Sequence, residues 1–177
     1  MPAERFVEGL NEQIGDEFAA HQQYVAIAAH YEAETLPRLA GFFYAQAVEE
    51  RNHAMMMVKY LLDTSSAVRI PGVAGPVTEF GDVIAPIKLA LDQERSVSER
   101  LSRLFEVARE ERDYLSEQFM QWFLREQIEE EATMSELLDV AERSRDLPMM
   151  IEEYIAREQP GGEEPGGAAP PVAGGAL

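Results

Sequence analysis

The segment Gln46-Ala-Val-Glu49-Glu50-Arg-Asn-His53 sets a carboxylate and an imidazole three residues apart inside a stretch of helical, apolar periodicity. Positions i and i+3 of a helix share a face, so Glu50 and His53 can address one point in space. A buried Glu beside a His needs compensation: the two satisfy each other, or they hold a metal ion. This stretch by itself leaves both open. Three further carboxylates, Glu17, Glu94 and Glu130, each stand on the apolar stripe of a different helical stretch. Four carboxylates and an imidazole at one depth would repel one another and lose their hydration unless positive charge joined them. No Lys or Arg occupies the inner stripes at that level, so a bound cation is the simplest resolution. The chain has no Cys, and oxygen and nitrogen ligands without thiolate suit iron, manganese or zinc. Inward Glu residues together with Glu-x-x-His on bundle helices form a di-iron carboxylate pattern.

Four long helices must carry these side chains. The first spans Glu4 to about Glu34, with inner positions Leu10, Ile14, Glu17, His21, Tyr24, Ala28 and Tyr31 at steps of four and three. Leu36-Pro37 ends it and opens the second, to Asp63, with stripe Leu39, Phe43, Gln46, Glu50, His53, Met57 and Tyr60. The third spans Val83 to Glu111, with Ile87, Leu91, Glu94, Ser98, Leu101, Phe105 and Ala108 inward; the fourth follows Arg112-Asp113 and reaches Arg145, with Met120, Phe123, Gln127, Glu130, Met134, Leu137 and Ala141 inward. Pro148 opens a short fifth helix to Glu158. The segment Thr64 to Asp82 is rich in Gly and Pro and reads as a long connection.

The heights agree. Glu17 lies 19 residues before Leu36 and His53 lies 17 after it; Glu94 lies 18 before Arg112 and Glu130 lies 18 after it. The connection reaches about 60 Å at roughly 3.3 Å per residue, whereas a helix of about 28 residues is only about 42 Å long. It can therefore run the length of the bundle and set the second and third helices parallel, which brings Glu50 and Glu94 level. The fold class is all-α: a four-helix bundle with a long crossover between the second and third helices plus a short fifth helix.

Residues 1–158 are expected to form one domain, and the Gly/Pro/Ala-rich 159–177 a disordered tail. A formal charge of −18 opposes nucleic acid as a partner, because phosphate binding needs a basic footprint. The N-terminus shows no secretory pattern, and no stretch approaches the roughly 18 apolar residues of a membrane span. A cytoplasmic protein with no membrane partner is the expectation.

The segments Asn11–Tyr24 (NEQIGDEFAAHQQY), Gln46–Ala54 (QAVEERNHA), Leu91–Glu94 (LDQE) and Gln118–Glu131 (QFMQWFLREQIEEE) together resemble the ferritins, specifically the non-haem ferritins of bacteria. The resemblance runs from Arg5 to about Glu158. It implies a ferritin-like bundle, a homo-oligomeric cage of 24 subunits, and a ferroxidase that oxidises Fe(II) with O2 or H2O2 and deposits ferric mineral inside. By position, Glu17, Glu50 and His53 resemble the first iron site; Glu50 would bridge to a second with Glu94 and Glu130, and Gln127 close by. Glu49, Glu126 and Glu129, with Glu130, match the third iron site, and Tyr24 the tyrosine beside the centre. Arg69–Val73 resembles the crossover loop that pairs across a subunit twofold axis, and the fifth helix the one that lines the fourfold axis.

Bacterioferritins carry Glu-x-x-His twice and a haem-ligating Met. Here the fourth helix has Gln127-Ile-Glu-Glu130 without His, and Asn52 stands just before His53 where that Met is expected, so the resemblance implies no haem. Met55, Met56 and Met57 read as packing residues, and His21 as a peripheral imidazole. A di-iron oxygenase acting on an organic substrate would show two Glu-x-x-His motifs, and a non-catalytic bundle would not match four inward carboxylates in height.

Overall fold

A computed structural model describes residues 1–158, 160 and 168–177. Among the described residues there are five helices and no strand: α1 (Glu4–Ala33), α2 (Pro37–Asp63), α3 (Ala85–Glu110), α4 (Tyr114–Arg143) and α5 (Met149–Glu158). These are the expected helices, with ends displaced by one or two residues. The start of α3 at Ala85 rather than Val83 has a local cause. The Asp82 carboxylate accepts from Ile84 N and Ala85 N at 2.9 and 2.8 Å, which holds residues 82–85 in a turn just ahead of the helix.

Three of the long helices end without glycine. Thr35, Ser65 and Arg112 take positive φ of 62°, 55° and 56°. Each lets the next amide reach back five residues: Leu36 N to Tyr31 O, Ser66 N to Leu61 O and Asp113 N to Ala108 O, at 2.9, 2.8 and 2.8 Å. This is the Schellman ending with an ordinary side chain where Gly is usual, and it explains how the chain turns at Arg112 with no Gly or Pro signal. A left-handed conformation costs a β-branched residue about 1–2 kcal/mol. Thr35 is exposed, so Thr35→Gly is expected to stabilise the protein by about 1 kcal/mol, read as a higher denaturant midpoint at unchanged slope.

The crossover, residues 64–84, is tied along α1 in register. Asn11 holds it at one end, donating Nδ2 to Ala67 O at 2.9 Å and accepting from Arg69 N at 2.5 Å. Gln23 pairs both ways with the backbone of Val77, at 2.8 Å each, and the Tyr31 hydroxyl donates to Val83 O at 2.7 Å. Between these ties Gly15 is buried, and a Cβ there would stand 2.5 Å from Pro71 Cγ; only glycine lets the loop lie this close. The loop thus follows α1 from its start to its end. Since α2 runs antiparallel to α1, α3 begins beside the start of α2 and the two run parallel.

The core is split in two. Tyr24, Tyr31, Phe43, Ile87, Leu91, Leu137 and Ile151 belong to a cluster at the α5 end; Phe6, Leu10, Ile14, Met57, Leu61, Leu101 and Phe123 belong to the other. Three of the four expected stripes are buried with little exception. On α3 the inward face drifts: Ser98 and Phe105 are half-buried, whereas Val97 and Leu104 are buried. A straight helix of 3.6 residues per turn slips about 20° per heptad against a fixed 3.5 repeat. Helix α5 docks through a buried carboxylate: Glu152 accepts from Arg38 N and Leu39 N, both at 2.8 Å, at the start of α2. Helix α2 has no side-chain cap of its own, and an anion at a helix N-terminus is favourable.

The tail expectation falls partly on residues 159 and 161–167, which lie outside the described residues. Residues 168–177 carry no helix or strand. Ala169, Val172 and Ala173 pack on the second core cluster, and Ala173 N donates to Met55 O at 3.2 Å. No helix among the described residues is long and apolar enough to cross a membrane.

Candidate metal centre

A layer of polar side chains separates the two core clusters. From α1, Glu17 meets Glu50 and His53 of α2; all three are buried, and their ligating atoms lie within 4.8 Å of one another. A second group under the same distance joins His53 to Glu126 and Glu130 of α4. His53 thus belongs to both. From α3, the buried Glu94 stands outside these two groups: the Tyr24 hydroxyl donates to one of its carboxylate oxygens, and Gln127 Nε2 donates to the other at 2.5 Å and to its carbonyl at 3.1 Å. Glu49, half-buried, accepts from Gln46 Nε2. Glu126 is half-buried and Glu129 exposed; with Glu49, His53, Trp122 and Glu130 they line an acidic groove of about 750 Å³ between α2 and α4.

The reading of Glu50 and His53 as a self-sufficient pair finds little geometric support. Nδ1 of His53 is 3.7 Å from Glu50 Oε2, beyond a hydrogen bond. Burial also lowers the imidazole to about 4, so it is neutral near pH 7 and makes no ion pair there. The carboxyls move the other way. Burial pushes Glu50 well up, reinforced by the charges of Glu94 and Glu17. Burial does the same to Glu130, reinforced by Glu94, Glu49 and Glu126. Glu17 rises by burial and is partly relieved by hydrogen bonds from Glu50 and Gln13, and Glu94 rises to about 7 by burial against the bonds from Tyr24 and Gln127. Burial and the Glu94 charge also hold Tyr24 well above 10, so it stays a neutral donor. Among the described residues, none of Glu17, Glu50, Glu94 and Glu130 has a Lys or Arg ion-pair partner. In this form the layer keeps its charge down by holding protons. A cation entering it would displace them, and the neutral imidazole is ready to donate.

All ten expected residues lie in or beside this layer, in three tiers: the two close groups, the Tyr24–Glu94–Gln127 cluster, and the groove. Sequence reasoning passed over Gln13, whose Nε2 donates to Glu17 Oε1 at 2.8 Å. Its position one helical turn before Glu17 was the available signal. It also passed over Trp122, which packs edge-on against His53 with ring centroids 5.7 Å apart. His21 is half-buried beside the Ala47 carbonyl, Nδ1 at 2.6 Å, and belongs to neither close group.

A crossover-linked bundle with inward Glu residues on all four helices and one inward His defines the class of carboxylate-rich, metal-carrying four-helix proteins. The sequence profile of the ferritin-like domain matches residues 7–144, and the chain belongs to the ferritin family. It is 52% identical to Ferritin BfrB of Mycolicibacterium smegmatis over 95% of this chain and 92% of the relative. Bacterial non-heme ferritin of Staphylococcus aureus is 36% identical over 75% of this chain and 80% of its own. A relative from Mycobacterium tuberculosis, 51% identical over 99% of this chain and 97% of its own, carries the name Bacterioferritin BfrB. Among solved structures, an open pore ferritin from the archaeon Archaeoglobus fulgidus superposes with a TM-score of 0.83 at 25% identity, over 88% of this chain and 96% of its own.

Proposed function

We propose that this protein is an iron-storage ferritin that oxidises Fe(II) within the subunit and deposits ferric mineral in a 24-subunit cage. The observation that carries the reading is the convergence of Glu17, Glu50 and His53 donor atoms within 4.8 Å, all buried and with no Lys or Arg ion-pair partner among the described residues. Iron is the substrate. Glu17, Glu50 and His53 hold the first Fe(II). Glu50 and Glu130, with Glu94 once its carboxylate is released from Tyr24 and Gln127, hold the second. Glu49, Glu126 and Glu129, with Glu130, take a third on the way out.

Carboxylates stabilise Fe(III) over Fe(II), since their charge neutralises the higher cation more strongly. Two Fe(II) each give up one electron. O2 accepts both with two protons and leaves as H2O2; if H2O2 is the oxidant, it accepts two electrons and two protons and leaves as two waters. Tyr24 keeps its proton and orients Glu94. Gln127 stands where a second imidazole would bind iron more tightly, so the second site is weak and its product can leave. Haem has no part in the proposal, because Asn52 stands where a Met ligand is expected. We place the protein in the cytoplasm, with neither nucleic acid nor membrane as a partner.

The test is the mass of the purified protein in solution, followed by Fe(II) in air. A large hollow assembly that keeps ferric iron in solution is expected. A monomer or dimer that only precipitates rust would overturn the proposal.

A further inference from the structure

The run Met55-Met56-Met57 sets three thioethers at successive positions of α2, about 100° apart around the helix. Their surroundings differ. Met57 is wholly buried in the core, and Met55 is half-buried with its carbonyl accepting from Ala173 N. Met56 sits at the edge of the second core cluster and is the one of the three that lines the groove between α2 and α4. Glu49, His53 and Met56 stand at i, i+4 and i+7, so they share one face of α2, and all three line that groove. His53, Glu126 and Glu130 belong both to the second close group and to the groove wall. A small molecule released from that group therefore enters the groove within one helical turn of Met56.

We propose that Met56 is a sacrificial scavenger of the H2O2 released when O2 is the oxidant, and so a site of methionine oxidation. The sulfur lone pair attacks one peroxide oxygen, and the O–O bond breaks as an S–O bond forms. The second oxygen leaves with both protons as water; the sulfide has lost two electrons and the peroxide has gained them. No further reagent is needed. Sulfur is the soft, polarizable nucleophile of this wall, and its reaction removes peroxide before it can meet Fe(II) beside the His53 and Trp122 rings. The product is methionine sulfoxide, which methionine sulfoxide reductases return to the thioether. The inference rests on the proposed function for its source of peroxide.

Susceptibility to an oxidant in solution follows exposure. When H2O2 is added to the metal-free assembled protein, Met149 and Met150, 64% and 48% exposed, should be modified before Met56, 7% exposed. A turnover of Fe(II) in air with catalase in the solution should reverse that order. Catalase destroys peroxide outside but is too large to enter the groove, so Met56 gains one oxygen atom while Met149 and Met150 stay intact, as peptide mass spectrometry reads directly. M56L conserves volume and helix propensity. Without catalase it should oxidise Fe(II) at the unaltered rate and release up to one additional H2O2 per subunit in the first turnover, the amount one thioether consumes. Met56 left unmodified after turnover would overturn the inference, as would a Met56 sulfoxide that disappears when catalase is present. Unchanged peroxide release in M56L would also overturn it, since a packing residue consumes none. Absence of rapid Fe(II) oxidation in the natural protein would instead overturn the proposed function, and the inference with it.

Discussion

Alanine at both Glu50 and His53 is expected to slow the initial oxidation of Fe(II) by at least about 100-fold, because loss of an outer-shell partner alone commonly costs 10–100-fold and these two are proposed as direct ligands. Assembly should survive. Both side chains point into the bundle, 2% and 6% exposed, so neither would reach another subunit of the proposed cage. The His53 ring does pack against Trp122 and Phe123, with centroids 5.7 and 5.8 Å away, and its removal costs packing of a few kcal/mol. Glu50→Gln is therefore the companion variant. It keeps volume and removes only charge, and it should lose the rate with no loss of packing. The appearance of ferric absorbance after mixing, alongside the sedimentation of each variant, reads both outcomes. Oxidation at the unaltered rate in the double variant would place the centre elsewhere.

The second large effect is a reversal of pH dependence when a cation binds. In the metal-free protein Glu94 holds its proton up to about 7, whereas in the unfolded chain it releases it near 4.3. The folded state binds more protons between those values, so stability falls as pH rises through that window, and the loss is complete above it. Glu17, Glu50 and Glu130 act in the same direction. His53 opposes them: it is lowered to about 4 against about 6.5 unfolded, so its contribution is lost as pH falls through that range. The two cancel in part below about pH 6.5, and above it only the carboxyl cost remains. The melting temperature of the metal-free protein should therefore decline from about pH 6.5 upward.

Zn(II), which has no redox chemistry, should do the opposite, since it binds ionised carboxylates and neutral imidazole. At a concentration near 1,000 times its dissociation constant it adds about 4 kcal/mol, or roughly 10 °C for a chain of this length. At about pH 5 most of that gain should vanish, because protons hold the site. Calorimetry with and without Zn(II) across pH checks the sign, and binding in weak buffer should release protons. A zinc stabilisation independent of pH would contradict the protonated layer.

The outline of the fold was legible because helix stripes repeat in the sequence. The positions of Glu17, Glu50, Glu94 and Glu130 stood out because charge on an apolar stripe is costly and therefore rare. The level of each followed from helix lengths alone, since α-helical rise is constant. Contacts between remote backbone and a single side chain were not legible in this way. Glu152 looks like one more surface acid in an acidic helix, yet it closes the start of α2. Asn11 and Gln23 read as ordinary polar residues, yet they tie down the crossover. The left-handed turn at Arg112 left no trace either, because its residue type does not advertise the conformation.

The amino-acid sequence by itself determined which helices form, which side of each is apolar, and that four carboxylates and one imidazole must share a depth. These follow from periodicity and from the cost of burying charge, both local along the chain. Only the tertiary structure decided how the donors divide. It grouped Glu17 with Glu50 and His53, shared His53 with Glu126 and Glu130, and turned Glu94 toward Tyr24 and Gln127. It also left Gln46 Oε1 and Trp122 Nε1 buried without a hydrogen-bond partner among the described residues. Such choices depend on side-chain rotamers across three or four helices, and no spacing within one helix encodes them.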